Sequence, residues 1–202
     1  MKNLLIALLS VVTVAFLVQC SGGGTPDGGN TPPGTNDYHG FASQVKFGEH
    51  LVLIAGCNDC HTPKKMTARG PVLDTLLWLS GHPANMPGIE VDRLAMESKG
   101  LAVTMDLTEW VGPWGVSYAA NLTPDGTGIG SWTEEQFFKV LREGKYHGLD
   151  DSRPILPPMP WEMIGQMTDE EISAVFAYLK SIKPVNNLVP PPLPPASAGA
   201  TH

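Results

Sequence analysis

Cys57-Asn58-Asp59-Cys60-His61-Thr62-Pro63 is the stretch on which the reading of this 202-residue chain turns. Two thiols three positions apart lie on one helical turn, where they can add across the two vinyl groups of a haem. The next residue, His61, is then carried under the iron as a neutral imidazole ligand. Covalent attachment also keeps the cofactor from being lost outside a cell. Two rival chemistries use the same spacing. A thioredoxin-like redox pair needs a βαβ setting, which the helical surroundings of the motif do not provide. A structural zinc site needs four ligands, and Cys20 is the one cysteine left elsewhere. The expectation is one covalent haem c on Cys57, Cys60 and His61.

The flanking sequence reads as helix and loop. Over 43–56, Val45, Gly48, Val52 and Ala55 share one face at the helical period. Thr133-Glu134-Glu135-Gln136 is a capping box that opens a helix through Phe137, Phe138, Val140 and Leu141 to a stop at Gly144. Thr168-Asp169-Glu170-Glu171 is another, opening the longest helix. Its stripe of Ile172, Val175, Phe176, Leu179 and Ile182 ends at Pro184. Alternation around Gly115-Val116-Ser117-Tyr118-Ala119 suggests a small β-hairpin within 103–121. The expected fold class is mainly α with long loops, and loops of that length suggest that something besides side chains fills the centre.

A second axial ligand would come from a distant loop. The candidates are Met66, Met86, Met96, Met105, Met159, Met163, Met167, His82 and His147. Met159 is favoured because Pro157-Pro158-Met159-Pro160 makes a stiff, extended loop just before the last helix, suited to holding a thioether. Met163 and Met167 read as core or haem-edge packing. Met105 reads as pointing into the sheet-like region, and His82 and His147 as surface or packing histidines. Ligation by histidine and a vacant position stay open beside Met159. His/Met ligation raises the potential relative to His/His, which suits an electron carrier at the oxidising end of a chain.

The ends read differently from the middle. Lys2 is followed by an apolar run over 4–18, shorter than a membrane span, and then by Leu17-Val18-Gln19-Cys20-Ser21-Gly22. That stretch resembles the processing site of bacterial lipoproteins, with 1–19 as signal peptide and Cys20 as the lipidated first residue. An uncleaved signal anchor is the competing interpretation. Residues 20–40 read as a flexible Gly/Pro linker, 41–183 as the folded domain, and 184–202 as an extended Pro-rich tail. The whole chain has 22 Gly and 19 Pro, about a fifth of its length, 16% charged residues and a net charge of −7. This excludes a coiled coil and a disulfide-dense mini-domain, and acids outnumber bases 20 to 13, which excludes a typical nucleic-acid binder.

Together these residues resemble the class I c-type cytochrome domain over most of 41–187. The chain looks similar to the monohaem domains related to the cytochrome subunits of periplasmic alcohol and sugar-acid dehydrogenases. The resemblance is carried by Cys57-Asn58-Asp59-Cys60-His61-Thr62-Pro63, Asn121-Leu122-Thr123-Pro124-Asp125, Thr127-Gly128-Ile129-Gly130 and Trp132-Thr133. It continues through Leu141-Arg142-Glu143-Gly144, Pro158-Met159-Pro160-Trp161, Ala177-Tyr178-Leu179-Lys180 and Lys183-Pro184-Val185. It implies N- and C-terminal helices that cross, with Gly48 allowing close approach near Tyr178, and Met159 as the distal ligand. It also implies Trp132 and Arg142 beside the haem or its propionates, against an ordinary surface role for Arg142. About sixty residues between His61 and Asn121 exceed a minimal domain of this class, an insertion that would shield a haem edge or form a docking surface. A single Cys-x-x-Cys-His, where several relatives carry three, implies one haem.

The function expected is single-electron transfer on the periplasmic side of a bacterial membrane, with the domain tethered by lipid at Cys20 and no catalysis of its own. Its partners would be redox proteins: a dehydrogenase, an oxidase or another cytochrome. Lys64, Lys65 and Arg69 would make a docking patch for an acidic partner, although a solvated basic loop is the favoured reading. If Met159 does not bind iron, the alternative is a haem enzyme or a gas or redox sensor with an open coordination site. A third possibility is an interaction module whose Pro-rich tail docks a partner.

Overall fold

The computed structural model describes residues 38–199. The expected signal peptide, the lipid-bearing Cys20 and most of the expected linker lie outside the described residues. Helix α1 (Gln44–Ile54) begins where the Ser43 side chain accepts from the Lys46 N–H. Helix α4 (Glu134–Glu143) opens on the capping box of Thr133 and Gln136 and closes at Gly144. Helix α6 (Asp169–Ser181) opens on the box of Thr168 and Glu171. Each box satisfies two backbone N–H groups that a helix start otherwise leaves unpaired. Between these lie the short helices α2 (Cys57–His61), α3 (Arg93–Ser98) and α5 (Trp161–Ile164).

Helix α1 packs on α6, and the contact is closest at Gly48. A Cβ placed there would lie 1.8 Å from the Ala174 carbonyl oxygen and 2.9 Å from the Tyr178 Cβ. Glycine is therefore required by the approach of the two backbones. Phe47, Leu51 and Val52 of α1 meet Ile172, Val175, Tyr178 and Leu179 of α6, with Phe137 and Leu141 of α4 and the loop residues Leu79 and Ile129 completing the core.

The architecture is mixed, which corrects the expectation of a mainly α domain. Among the described residues only α1, α4 and α6 exceed eight residues, and two antiparallel hairpins lie within 62–120. Strand β3 (Glu109–Gly112) pairs with β4 (Gly115–Tyr118), Glu109 opposite Tyr118, where a hairpin was expected. Strand β1 (Lys64–Thr67) pairs with β2 (Gly70–Leu73), where a loop was expected. This ribbon is largely exposed on both faces, so it lacks the apolar alternation that marks a strand in sequence.

Residues 184–195 run without helix, as their proline content suggests, and end in a 3-10 turn (Ala196–Gly199); they are bound along the domain rather than projecting from it. Val185 and Asn187 bond to the side chains of Asn121, Thr123 and Thr127, and Leu193 pairs with Val116 of β4. Glu97 of α3 accepts from the backbone N–H groups of Ala196 and Ser197. The backbone groups that a docking tail would offer a partner are here engaged by the same chain.

Candidate functional site

Helix α2 carries the Cys-x-x-Cys-His motif directly after α1. The chain turns between the two helices at Gly56, whose φ of +69° is the left-handed conformation. Cys57 and Cys60 are free thiols on this single helix. Burial pushes the Cys57 thiol up to about 11, and burial raises Cys60 as well. Both stay protonated at neutral pH, unlike the low-pKa attacking thiol of a thioredoxin-type pair. Among the described residues no group of three or more His, Cys, Asp or Glu side chains is placed to hold a metal ion, so a zinc site lacks its donor set.

The His61 ring is fixed by one hydrogen bond. Its Nδ1 lies 2.8 Å from the Ala120 carbonyl oxygen. A carbonyl only accepts, so Nδ1 carries the proton and Nε2 keeps a free lone pair. Desolvation holds the imidazole below its ordinary value, which favours the neutral form that a metal ligand requires. Orientation of the ring by a backbone carbonyl is common among metal-binding histidines. Two thiols on one turn and a neutral imidazole with one free nitrogen fit a covalently held haem.

The segment that supports this arrangement is Leu79-Ser80-Gly81-His82. Leu79 is fully buried with φ +57°, a costly conformation for a branched side chain. Its N–H donates to the Thr62 hydroxyl at 3.0 Å, and its carbonyl accepts from the Leu122 N–H at 2.9 Å. The Gly81 N–H donates to the His61 carbonyl at 2.8 Å, and the His82 N–H donates to the Ala119 carbonyl at 2.9 Å. Gly81 has φ +76°, and a Cβ there would lie 2.5 Å from the Ala119 carbonyl oxygen. The segment thus threads between α2 and the strand-like run that presents Ala120 to His61. None of this was legible beforehand, because Ala120 acts through its backbone.

Met159 is half-buried and packs against the same core cluster as Cys57. Its carbonyl accepts from the Trp161 N–H at 2.9 Å. The preceding Pro157 carbonyl accepts from the Ser117 hydroxyl of β4 at 2.6 Å, so the hairpin as well as the start of α5 braces this loop. The other candidates divide. Met66, Met105 and Met163 are strongly exposed, which corrects the expectation that Met105 points into the sheet. Met167 packs against the core. His82 is fully buried, its Nδ1 at 2.8 Å from the Thr108 hydroxyl and its ring against Tyr118. His147 lies between the rings of Trp132 and Tyr146.

Arg142 is occupied elsewhere. It donates to the Gly165 carbonyl and forms an ion pair with Asp169 at 2.7 Å, joining α4 to the start of α6. Lys64 donates to the Asp59 carbonyl and Lys65 pairs with Asp74 at 3.7 Å, so both lysines of the basic run have partners in this chain.

No family model matches the chain. It is similar, however, to dehydrogenase subunits, among them cytochrome subunits. It is 28% identical over 161 residues to a nicotinate dehydrogenase subunit of Pseudomonas putida, which covers 79% of this chain and 10% of that protein. It is 40% identical over 77 residues to the fructose dehydrogenase cytochrome subunit of Gluconobacter japonicus, 37% of this chain and 15% of that one. It is 28% identical over 143 residues to the cytochrome c subunit of the quinone alcohol dehydrogenase of Gluconobacter oxydans, 70% and 22% respectively. The chain thus spans between a tenth and about a fifth of the length of these relatives.

Proposed function

We propose that this chain is a single-electron carrier with one haem c held by Cys57, Cys60 and His61 and by Met159 on the opposite face. The observation that carries the proposal is the His61 bond to the Ala120 carbonyl, which leaves a neutral imidazole nitrogen free beside two free thiols. Cys57 and Cys60 would form the thioether bonds, and His61 and Met159 would be the axial ligands. When bound, the haem supplies iron that exchanges one electron between two oxidation states. The protein's part is to keep both ligands still, so that little rearrangement accompanies the exchange. On the His61 side the Leu79–His82 segment and Ala120 do this, and on the Met159 side Ser117 and the prolines. A fully ligated iron leaves no position for a substrate, so the chain would carry electrons rather than catalyse.

The relatives' names support a dehydrogenase as partner, and the chain would link that dehydrogenase, or a respiratory complex, to an acceptor. The carrier would work on the periplasmic side of a bacterial membrane, tethered by lipid at Cys20. No helix among the described residues is long and apolar enough to cross a membrane.

The test is the absorption spectrum of the oxidised protein isolated from membranes. A Met–iron charge-transfer band at the red edge, lost in Met159→Ala, is the expected result, together with release from membranes in Cys20→Ser. Five-coordinate, high-spin iron in the wild type would overturn the carrier in favour of an open-site sensor or enzyme.

A further inference from the structure

Asn187 lies 126 positions beyond His61 in the chain, yet it bonds to both segments that touch that histidine. Its side-chain Nδ2 donates to the Ser80 carbonyl at 2.7 Å and to the His82 carbonyl at 2.9 Å. Its Oδ1 accepts from the Ala84 N–H at 2.9 Å. Its backbone N–H donates to the Thr127 hydroxyl at 2.9 Å, and its carbonyl accepts from the Asn121 side chain at 3.3 Å. Every donor and acceptor of the residue is therefore used: its side chain bonds to the backbone over 80–84, and its backbone bonds to the side chains of Asn121 and Thr127.

The first of these two pieces of chain is the Leu79–His82 segment. Between the two carbonyls that Asn187 clamps is Gly81, whose N–H donates to the His61 carbonyl. The strained Leu79 sits at the segment's start, so the segment has a reason to relax if the clamp is removed. The second piece begins at Asn121, directly after the Ala120 carbonyl that receives the His61 ring proton. The Asn121 amide donates to the carbonyls of Val185 and Asn187, and its Oδ1 accepts from Thr123. One residue near the C-terminus thus ties the two pieces together, its side chain gripping the piece that holds the His61 backbone and its own backbone bonding to the piece that follows Ala120.

We propose that Asn187 is a positioning residue for the haem ligand His61, acting through Gly81 and Ala120 without touching the cofactor. The inference rests on the assignment of His61 as an iron ligand. With the clamp intact the Nδ1–H···O bond is held short, which makes the imidazole a stronger donor and favours ferric iron. With the clamp gone the bond opens more often, and the ferrous form gains.

The test compares the haem-loaded full chain with Asn187→Asp, which keeps the shape and Oδ1 but has no donor for the two carbonyls. Asn187→Ser is read in the same way should the first variant fail to fold. A control, Glu97→Ala, frees the far end of the C-terminal segment at Ala196 and Ser197. Solvent exchange of the His61 Nδ1 proton, followed by NMR in the reduced state, should quicken about tenfold in the Asn187 variants. Their reduction potential should rise, and Glu97→Ala should match the wild type in both. Wild-type proton exchange and potential in the Asn187 variants would overturn the inference, as would equal changes in Glu97→Ala. A wild-type chain without covalent haem would instead overturn the ligand assignment, and the ring-proton exchange of His61 would still report on the clamp.

Discussion

Replacing Gly48 by alanine should pry apart the first and last helices. The added Cβ would fall 1.8 Å from the Ala174 carbonyl oxygen, 2.5 Å from its carbon and 2.9 Å from the Tyr178 Cβ. Two of these three neighbours are backbone in the middle of a 13-residue helix, so no side chain can swing away to make room. An ordinary contact needs about 3.4 Å, so α1 must retreat by more than an ångström along a seam that includes Phe47, Leu51, Ile172 and Val175. Overpacking of this kind costs about 3 kcal/mol, at the upper end of the usual range. Alanine returns about 1 kcal/mol through its better helix propensity, leaving a loss of about 2 kcal/mol. For a domain of this size that corresponds to a melting temperature lower by about 4–8 °C. Urea unfolding followed by circular dichroism measures the loss directly, with an unchanged slope showing that only stability moved. Gly126→Ala, where a Cβ meets open space, is the control and should stay within about 0.5 kcal/mol of wild type. If the Gly48 and Gly126 variants unfold at the same urea concentration, the two backbones are not in the contact described.

Two further outcomes follow from the supporting segments. Burial lowers the His82 pKa below its ordinary 6.5, so the unfolded chain takes up a proton that the folded ring refuses. Stability should therefore decline as pH falls below 6.5, down to the folded-state value, and His82→Gln should flatten that decline in a pH series of unfolding curves. Ser117→Ala removes the donor to the Pro157 carbonyl and the acceptor for Trp114, and should cost about 1–3 kcal/mol. It should also weaken the red-edge band attributed to Met159 while leaving the exchange of the His61 ring proton unchanged.

What could be read in advance was local. The capping boxes at Thr133 and Thr168 and the stripe of Ile172, Val175 and Leu179 each act within a few residues or on one helix face, whereas the close approach at Gly48 was implied only by the family resemblance. The attachment motif was legible for the same reason, since Cys57, Cys60 and His61 share one turn. The β1–β2 ribbon was not legible, because Lys65, Met66 and Val72 face solvent and show no buried alternation. How the C-terminal segment is held was not legible, because proline content reports an extended backbone but not what lies beside it. Its attachment depends on Asn187 reaching Ser80 and His82, more than a hundred positions away. The carbonyl of Ala120 has no signature in sequence, since any residue supplies one.

The isolated bridges of the β3–β4 hairpin bear on how copies of this protein behave when crowded together. Val103 pairs with Val111 on the β3 side, and Leu193 pairs with Val116 on the β4 side. A two-stranded ribbon otherwise offers two open rows of amide and carbonyl groups, the usual template for strands of a neighbouring molecule. Here each side is met by one residue of the same chain. Leu193 is set between Pro192 and Pro194, which lack the N–H needed to lengthen the pairing. The ladder on that side begins and ends at a single residue, so the ribbon cannot seed a sheet between molecules there. Shortening the chain before Leu193 would leave Val116 to recruit a stranger.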